Sequence, residues 1–221
     1  MNKKLIFFVA GLGRFGESVA TTLENMGNEV MAMDLDEDVV QNLSSTLGYV
    51  VCADASEEKN LQAIGAGNAD VAVVALGDMS ASLLSTLILK EMGVKKIVVK
   101  ALSKMHGKML TKIGADKIIY SEHEMGIRVA HNLVNPGLVD YIEMDNDLSV
   151  FSIRVPSGWV GKDLKNLNVR NKYNITVVAI RRGEKTMVNP NPELKLQVDD
   201  MMIILGDNES VKKATETIGN S

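Results

Sequence analysis

Short unbroken apolar runs alternate with amphipathic stretches over the first two-thirds of the chain. Leu5–Val9, Glu29–Met33, Tyr49–Ala53, Val71–Leu76, Lys96–Lys100 and Lys117–Tyr120 read as six strands buried on both faces, which is why they run apolar rather than alternating. Between them, apolar residues recur at helical spacing. Examples are Phe15, Val19, Leu23 and Met26, then Val39, Val40, Leu43 and Leu47, then Leu83, Leu84, Leu87 and Ile88, then Met105, Met109 and Ile113. Shorter or later helices follow Ser56, with Leu61 and Ile64, and span 122–134. Gly27, Gly93 and Gly114 stand where helices stop, and Asp36 and Ser56 stand where caps belong. Strand and helix in strict alternation predict a Rossmann-like α/β fold, a doubly wound parallel six-stranded sheet, over residues 1–135.

The period then changes. Asn135-Pro136-Gly137 reads as a hinge, and 136–147 as a connector carrying acidic residues. Ser149–Val155 alternates like a strand with one exposed face. Val160–Lys172 reads as helical, Ile175–Ile180, Thr186–Val188 and Met201–Leu205 as strands, and Asn208–Ile218 as a terminal helix. Residues 148–221 are therefore expected to form a small α+β domain, mainly antiparallel.

A net charge of −4 gives no basic stripe for nucleic acid. The single cysteine, Cys52, excludes an internal disulfide, fits a reducing compartment and reads as a buried strand thiol. Lys3-Lys4 and the apolar residues after them resemble a leader, but the run gives way to a glycine turn with no cleavage pattern. No apolar stretch approaches the ~20 residues that span a bilayer. The expectation is a soluble, cytoplasmic chain that meets a membrane only through a partner. Met125, Ile127, Val129, Leu133 and Val134 surround the 122–134 helix more broadly than one face requires, which predicts cover on two sides and a subunit contact.

The chemistry concentrates after the first strand, in Gly11-Leu-Gly13-Arg14-Phe15-Gly16. In such a G-x-G-x-x-G turn the first glycine permits the bend, the second admits a phosphate and the third lets the helix pack close. The helix start offers free amides and a partial positive charge. Arg14 can bring a planar guanidinium to a phosphate there. Asp34 ends the second strand 18 residues past Gly16, the place of a ribose-binding acid, and disfavours a 2′-phosphate. Asp54, Ala55 and Ser56, then Gly77 and Asp78, Lys100, and Ser121 with Glu122 lie at the other carboxyl strand ends. Glu122 is a dipole-favoured acid that could also meet a hard cation beside a phosphate. His106, His123 and His131 form no metal set and read as partly solvated, and no Ser/His/Asp or Cys/His arrangement is evident. A small second domain without histidine argues against hydride chemistry, leaving a NAD-dependent oxidoreductase as the alternative reading.

These segments resemble the RCK (KTN) family of cytosolic proteins that regulate Ktr- and Trk-type potassium transporters, most nearly the Ktr type. The resemblance rests on 9–16, 29–34, 53–56, 74–77, 98–101, 113–120 and, in the second domain, 167–180. It implies an adenine nucleotide, ATP or ADP, with NAD(H) as an alternative, held by Gly11, Gly13 and Gly16, with Asp34 on the ribose. Arg14 would reach the terminal phosphate of a neighbouring subunit's nucleotide, Lys100 would add charge, and Glu122 would lie where Mg or another cation sits between subunits. The lobes would dimerise and assemble into an octameric ring on a membrane-embedded potassium transporter. Arg170, Asn174, Ile175 and Pro190 match the stretch where relatives bind cyclic di-AMP. Ser121 departs from the proline that many relatives carry before the acid. The implied mechanism is a switch between ATP- and ADP-bound shapes without turnover. A stand-alone nucleotide-binding scaffold is the third reading.

Overall fold

The computed structural model describes residues 4–134, 138–145, 148–207, 209–210 and 213. They fall into two compact units, Met1–Ser121 and Glu122–Ser221.

In the first unit the chain runs β1 (Ile6–Ala10), α1 (Arg14–Asn25), β2 (Glu29–Asp34), α2 (Glu37–Leu43), β3 (Tyr49–Cys52), α3 (Glu58–Ile64), β4 (Val71–Val74), α4 (Met79–Glu91), β5 (Lys96–Lys100), α5 (Lys104–Ile113) and β6 (Lys117–Ile119). All six strands pair in parallel in the order β3-β2-β1-β4-β5-β6. Alternate residues of one strand feed opposite cores. Phe8 and Ala10 join Met33, Leu61, Leu89, Ile97 and Leu110, whereas Val9 joins Leu12, Ala20, Val30, Leu43 and Leu47. Strand order reverses between β1 and β4, and ligands of such sheets sit beyond the carboxyl ends at that point.

Among the described residues, helix α6 (Ser121–Val134) has none buried, and the chain meets it through His131, stacked on Tyr141 at 4.3 Å, and Arg128, bonded to Asp140. The second unit continues with β7 (Leu138–Asp145), β8 (Leu148–Arg154), α7 (Leu164–Leu167), α8 (Val169–Tyr173), β9 (Ile175–Arg182), β10 (Lys185–Val188) and β11 (Met201–Gly206). Its sheet is antiparallel throughout, in the order β10-β9-β11-β8-β7, over a core of Phe151, Ile153, Ile175, Ile180, Leu196, Met202 and Ile204.

Both sheets match their sequence expectation, and several local expectations do not. Cys52 is exposed, because β3 is an edge strand whose last residue lies at the sheet rim. Ser56 does not cap α3; it turns back to Asp54, donating N–H at 2.8 Å and Oγ–H at 2.7 Å. His106 is wholly buried rather than partly solvated, because its Nδ1 accepts the Leu102 amide at 3.1 Å. Residues 138–145, read as connector, are strand β7: Tyr141 is buried on one face, and Arg128 neutralises Asp140 through two hydrogen bonds, at 2.6 Å and 2.5 Å. The helical stretch 160–172 is broken in two by Asn168 at φ 50°. The 135–137 hinge lies outside the described residues, as does most of the terminal helix.

Candidate functional site

The glycine turn leaves β1 beside the start of the β4–α4 connection. Gly11 has φ +87° and donates its amide to the Met33 carbonyl at 2.8 Å; a Cβ there would stand 2.9 Å from the Ala75 backbone. A Cβ on Gly16 would stand 1.8 Å from the Gly11 carbonyl oxygen. The third glycine is thus required by the turn itself, which the first turn of α1 touches. Gly13 faces open space, with nothing within 4 Å of where a Cβ would be. It is the N-cap of α1 and offers no side chain to the helix amides.

α3 shares that absence, its N-cap Glu57 making no side-chain bond, whereas α2, α4 and α5 are capped. Asp36 caps α2 by accepting the Asp38 amide at 3.0 Å, Asp78 caps α4 through Ala81 at 2.8 Å, and Ser103 caps α5 through His106 at 3.1 Å. At α1 the amides of the first turn have no capping side chain, and the Gly13 backbone beside them is open to approach. Arg14 is the first residue of the helix and is exposed. Phe15 points its ring into the core, so its contribution to an anion is its amide.

Asp34 closes the other side of the turn. Its Oδ2 accepts the Leu12 amide at 2.5 Å and its Oδ1 the Asp36 amide at 2.9 Å. Sequence reasoning assigned it to a ribose and missed this bond to the glycine turn, which spans 22 residues and has no local pattern. Asp54 is held below the usual carboxylate range by the Ser56 hydroxyl and amide. Ala55 is buried, and its carbonyl accepts the Ser85 hydroxyl at 2.7 Å, tying the β3–α3 connection to α4. Gly77 is exposed after β4, and Lys100 is half-buried at the end of β5.

The first unit therefore brings Gly11, Gly13, Arg14, Phe15 and Gly16 into one turn bonded to Asp34 at the end of β2, with Asp54, Ala55, Gly77 and Lys100 at the carboxyl ends of neighbouring strands. These residues fit a phosphate-bearing nucleotide: an uncapped helix start, a glycine backbone at Gly13 that faces open space, and an acid beside them. The remaining candidates belong to the second unit. Glu122 is exposed in the first turn of α6. Among the described residues no three His, Cys, Asp or Glu side chains are placed to hold a metal ion together. Arg170 is exposed on α8; Asn174, at φ 55°, donates its side-chain amide to Asp207 at 2.9 Å. Ile175 is 1% exposed, so any contact it makes with a ligand falls to its backbone, and Pro190 is half-buried. No described helix is long and apolar enough to cross a membrane.

Comparison with known proteins follows the same division. Residues 7–121 match the TrkA-N domain and residues 148–219 the TrkA-C domain. The chain is 41% identical over 208 residues to Ktr system potassium uptake protein C of Bacillus subtilis (strain 168), covering 94% of each. It is 37% identical to Ktr system potassium uptake protein A of the same organism, again over 94% of each chain. Among solved structures it resembles GsuK bound to ADP, at a TM-score of 0.52 and 26% identity, over 60% of this chain and 34% of that one. With both domain matches in sequence order and full-length relatives above a third identical, the chain belongs to the RCK family of TrkA-N plus TrkA-C proteins, alongside the Ktr potassium uptake proteins.

Proposed function

We propose that this chain is the cytoplasmic, nucleotide-binding regulatory subunit of a membrane-embedded potassium transporter, and that it switches shape between ATP- and ADP-bound states without turnover. The observation that carries the reading is the uncapped start of α1 at Gly13, next to open space and to Arg14. The ADP complex of a relative 26% identical to this chain supports an adenine nucleotide as its occupant. The Ktr relatives support potassium uptake as the process served.

A switch needs a contact that one ligand makes and the other lacks. ATP carries a third phosphate, and an exposed arginine at the helix start is the residue suited to it. A charge-assisted hydrogen bond of this kind contributes about 1.5–3 kcal/mol, roughly a 10- to 100-fold preference per site. Moving a population from 1:99 to 99:1 takes about 5.5 kcal/mol, so several sites acting together are required. That fits a homo-oligomer, the octameric ring being the family's form. The exposed Met125, Leu133 and Val134 of α6, at 53%, 78% and 78%, supply an apolar surface for such assembly.

Competition titration of wild type and Arg14→Ala with ATP, ADP and NADH tests the reading. The expected result is ATP binding weakened about tenfold or more by Arg14→Ala, with ADP binding changed less. A preference for NADH that ignores Arg14 would instead favour the oxidoreductase. Identical ring dimensions by small-angle scattering with ATP and ADP would refute the switch.

A further inference from the structure

We propose that Asp34 is a positioning residue for the phosphate turn, and not solely a ribose contact. The inference deepens the nucleotide-binding reading and rests on it for its ligand. Asp34 stands at the carboxyl end of β2 and reaches sideways to the turn leaving β1, where its Oδ2 accepts the Leu12 amide at 2.5 Å. Leu12 lies between Gly11 and Gly13, and its side chain is 1% exposed in the core under α1. Anchored by its side chain below and by its amide to Asp34, Leu12 fixes the residues on either side of it. One of them is Gly13, the backbone facing open space at the helix start. The second oxygen of Asp34 accepts the Asp36 amide at 2.9 Å, which holds the carboxylate against rotation.

A carboxylate oxygen has a second lone pair, so Asp34 can keep Leu12 and still accept a ribose hydroxyl. Binding at the ribose end and order at the phosphate end then share one side chain. The consequence runs against simple electrostatics. An acid beside an anion site repels the anion, so deleting it should tighten binding of a ligand that has phosphates and no ribose. If the acid also shapes the turn, deleting it weakens that ligand.

The probe is inorganic tripolyphosphate, which has neither base nor sugar, titrated into the full chain as wild type, Asp34→Ala and Asp34→Asn. Both variants lose the charge, and Asn keeps one acceptor oxygen. The expected result is a loss of about tenfold for Asp34→Ala with a smaller loss for Asp34→Asn. Unchanged or tighter binding by Asp34→Ala, or equal losses in both variants, would overturn the proposal. Amide hydrogen exchange without any ligand decides the same point independently. Leu12 should exchange about tenfold faster in Asp34→Ala, with the α1 interior unchanged. Asp34→Asn, which retains one acceptor oxygen, should keep protection at one of the two amides. Wild-type exchange rates at both amides in both variants would overturn the proposal. A wild-type chain that binds neither ATP nor tripolyphosphate would refute the nucleotide reading instead, and the exchange comparison would still judge the clamp.

Discussion

Asp34 in the first unit and Asp200 in the second are both carboxylates that accept backbone amides at a strand end, and they are closed off in different ways. Asp200 is wholly buried. Arg182 donates to it twice, at 2.8 Å and 2.7 Å, and the Gln197 amide once more at 2.8 Å. Asp34 is half-buried and takes amides from Leu12 and Asp36. An acid sealed by a bidentate arginine has its charge neutralised inside the protein, and its work is holding the fold. An acid that shapes a turn through neutral amides keeps its charge and spare lone pairs at the surface, where a ligand can use them. The contrast marks which of the two carboxylates is left open at a strand end and which is sealed as a brace.

The largest expected effect follows from breaking the brace. Asp200→Ala leaves the Arg182 guanidinium without its counter-charge, with the Lys195 carbonyl at 3.0 Å as its remaining partner, and should destabilise the second unit by about 3 kcal/mol. That is the low end for a buried pair, since the arginine side chain is 31% exposed and can recover some water. Calorimetry would show this as a lowered transition for that unit, while nucleotide affinity in the first unit stays unchanged. A matching fall in affinity would mean that the two units are energetically coupled. The hydrogen bonds from Arg182 hold the Asp200 carboxyl below its ordinary value near 3.8, against the opposing effect of burial. The stability it contributes is thus present above pH 3.8 and lost as pH falls through the lower folded value. Asp200→Asn should remove that acid dependence.

Gly16→Ala strikes the first unit in the mirror sense. The added Cβ meets the Gly11 carbonyl at 1.8 Å, a backbone atom that cannot swing away. Overpacking of this kind costs about 1–3 kcal/mol, and here the displaced atoms are the phosphate turn itself. Nucleotide binding should fall further than stability does. Gly13→Ala, which meets nothing, should leave stability within about 1 kcal/mol and weaken nucleotide binding by obstruction.

The same contrast explains what could be read from the residues alone. The first unit was legible because both faces of its sheet are covered, so the strands stand out as apolar runs such as Val71–Val74. The turn was legible because three glycines and a strand-end acid keep a fixed order. Three kinds of feature were not. The Asp34–Leu12 bond joins residues 22 apart through a fold that must already exist. Cys52 has an apolar neighbourhood in sequence and an exposed place in space, because sheet order, not composition, puts β3 at the edge. Strand β7 was hidden by its acids: Asp140 reads as connector until Arg128, twelve residues earlier, is seen to neutralise it.

His106 separates the units at a milder pH. Burial pushes its imidazole below the ordinary 6.5, so the folded first unit holds it neutral, with Nδ1 committed to the Leu102 amide. A group depressed on folding contributes fully above the unfolded value and loses its contribution as pH falls from about 6.5 towards the folded value. The loss cannot exceed about 1.4 kcal/mol per pH unit for one proton. Melting temperatures between pH 7 and pH 5 should therefore fall for the first unit of the wild type. His106→Asn, which keeps an acceptor for Leu102, should flatten that slope. An equal slope in the variant would assign the acid sensitivity elsewhere.

The smallest effect sharpens the comparison from inside the second unit. Lys165 and Glu193 are also an oppositely charged pair, with Nζ and Oε1 3.9 Å apart, but their side chains are 70% and 75% exposed. Water already solvates both charges, and holding two long side chains together costs rotamer entropy that offsets the attraction. Glu193→Gln should change stability by less than about 0.5 kcal/mol, and added salt should erase even that. Set beside Asp200→Ala, it holds charge chemistry nearly constant and varies solvent access. A loss at Glu193 as large as that at Asp200 would mean that pairing, and not burial, makes the second carboxylate a brace.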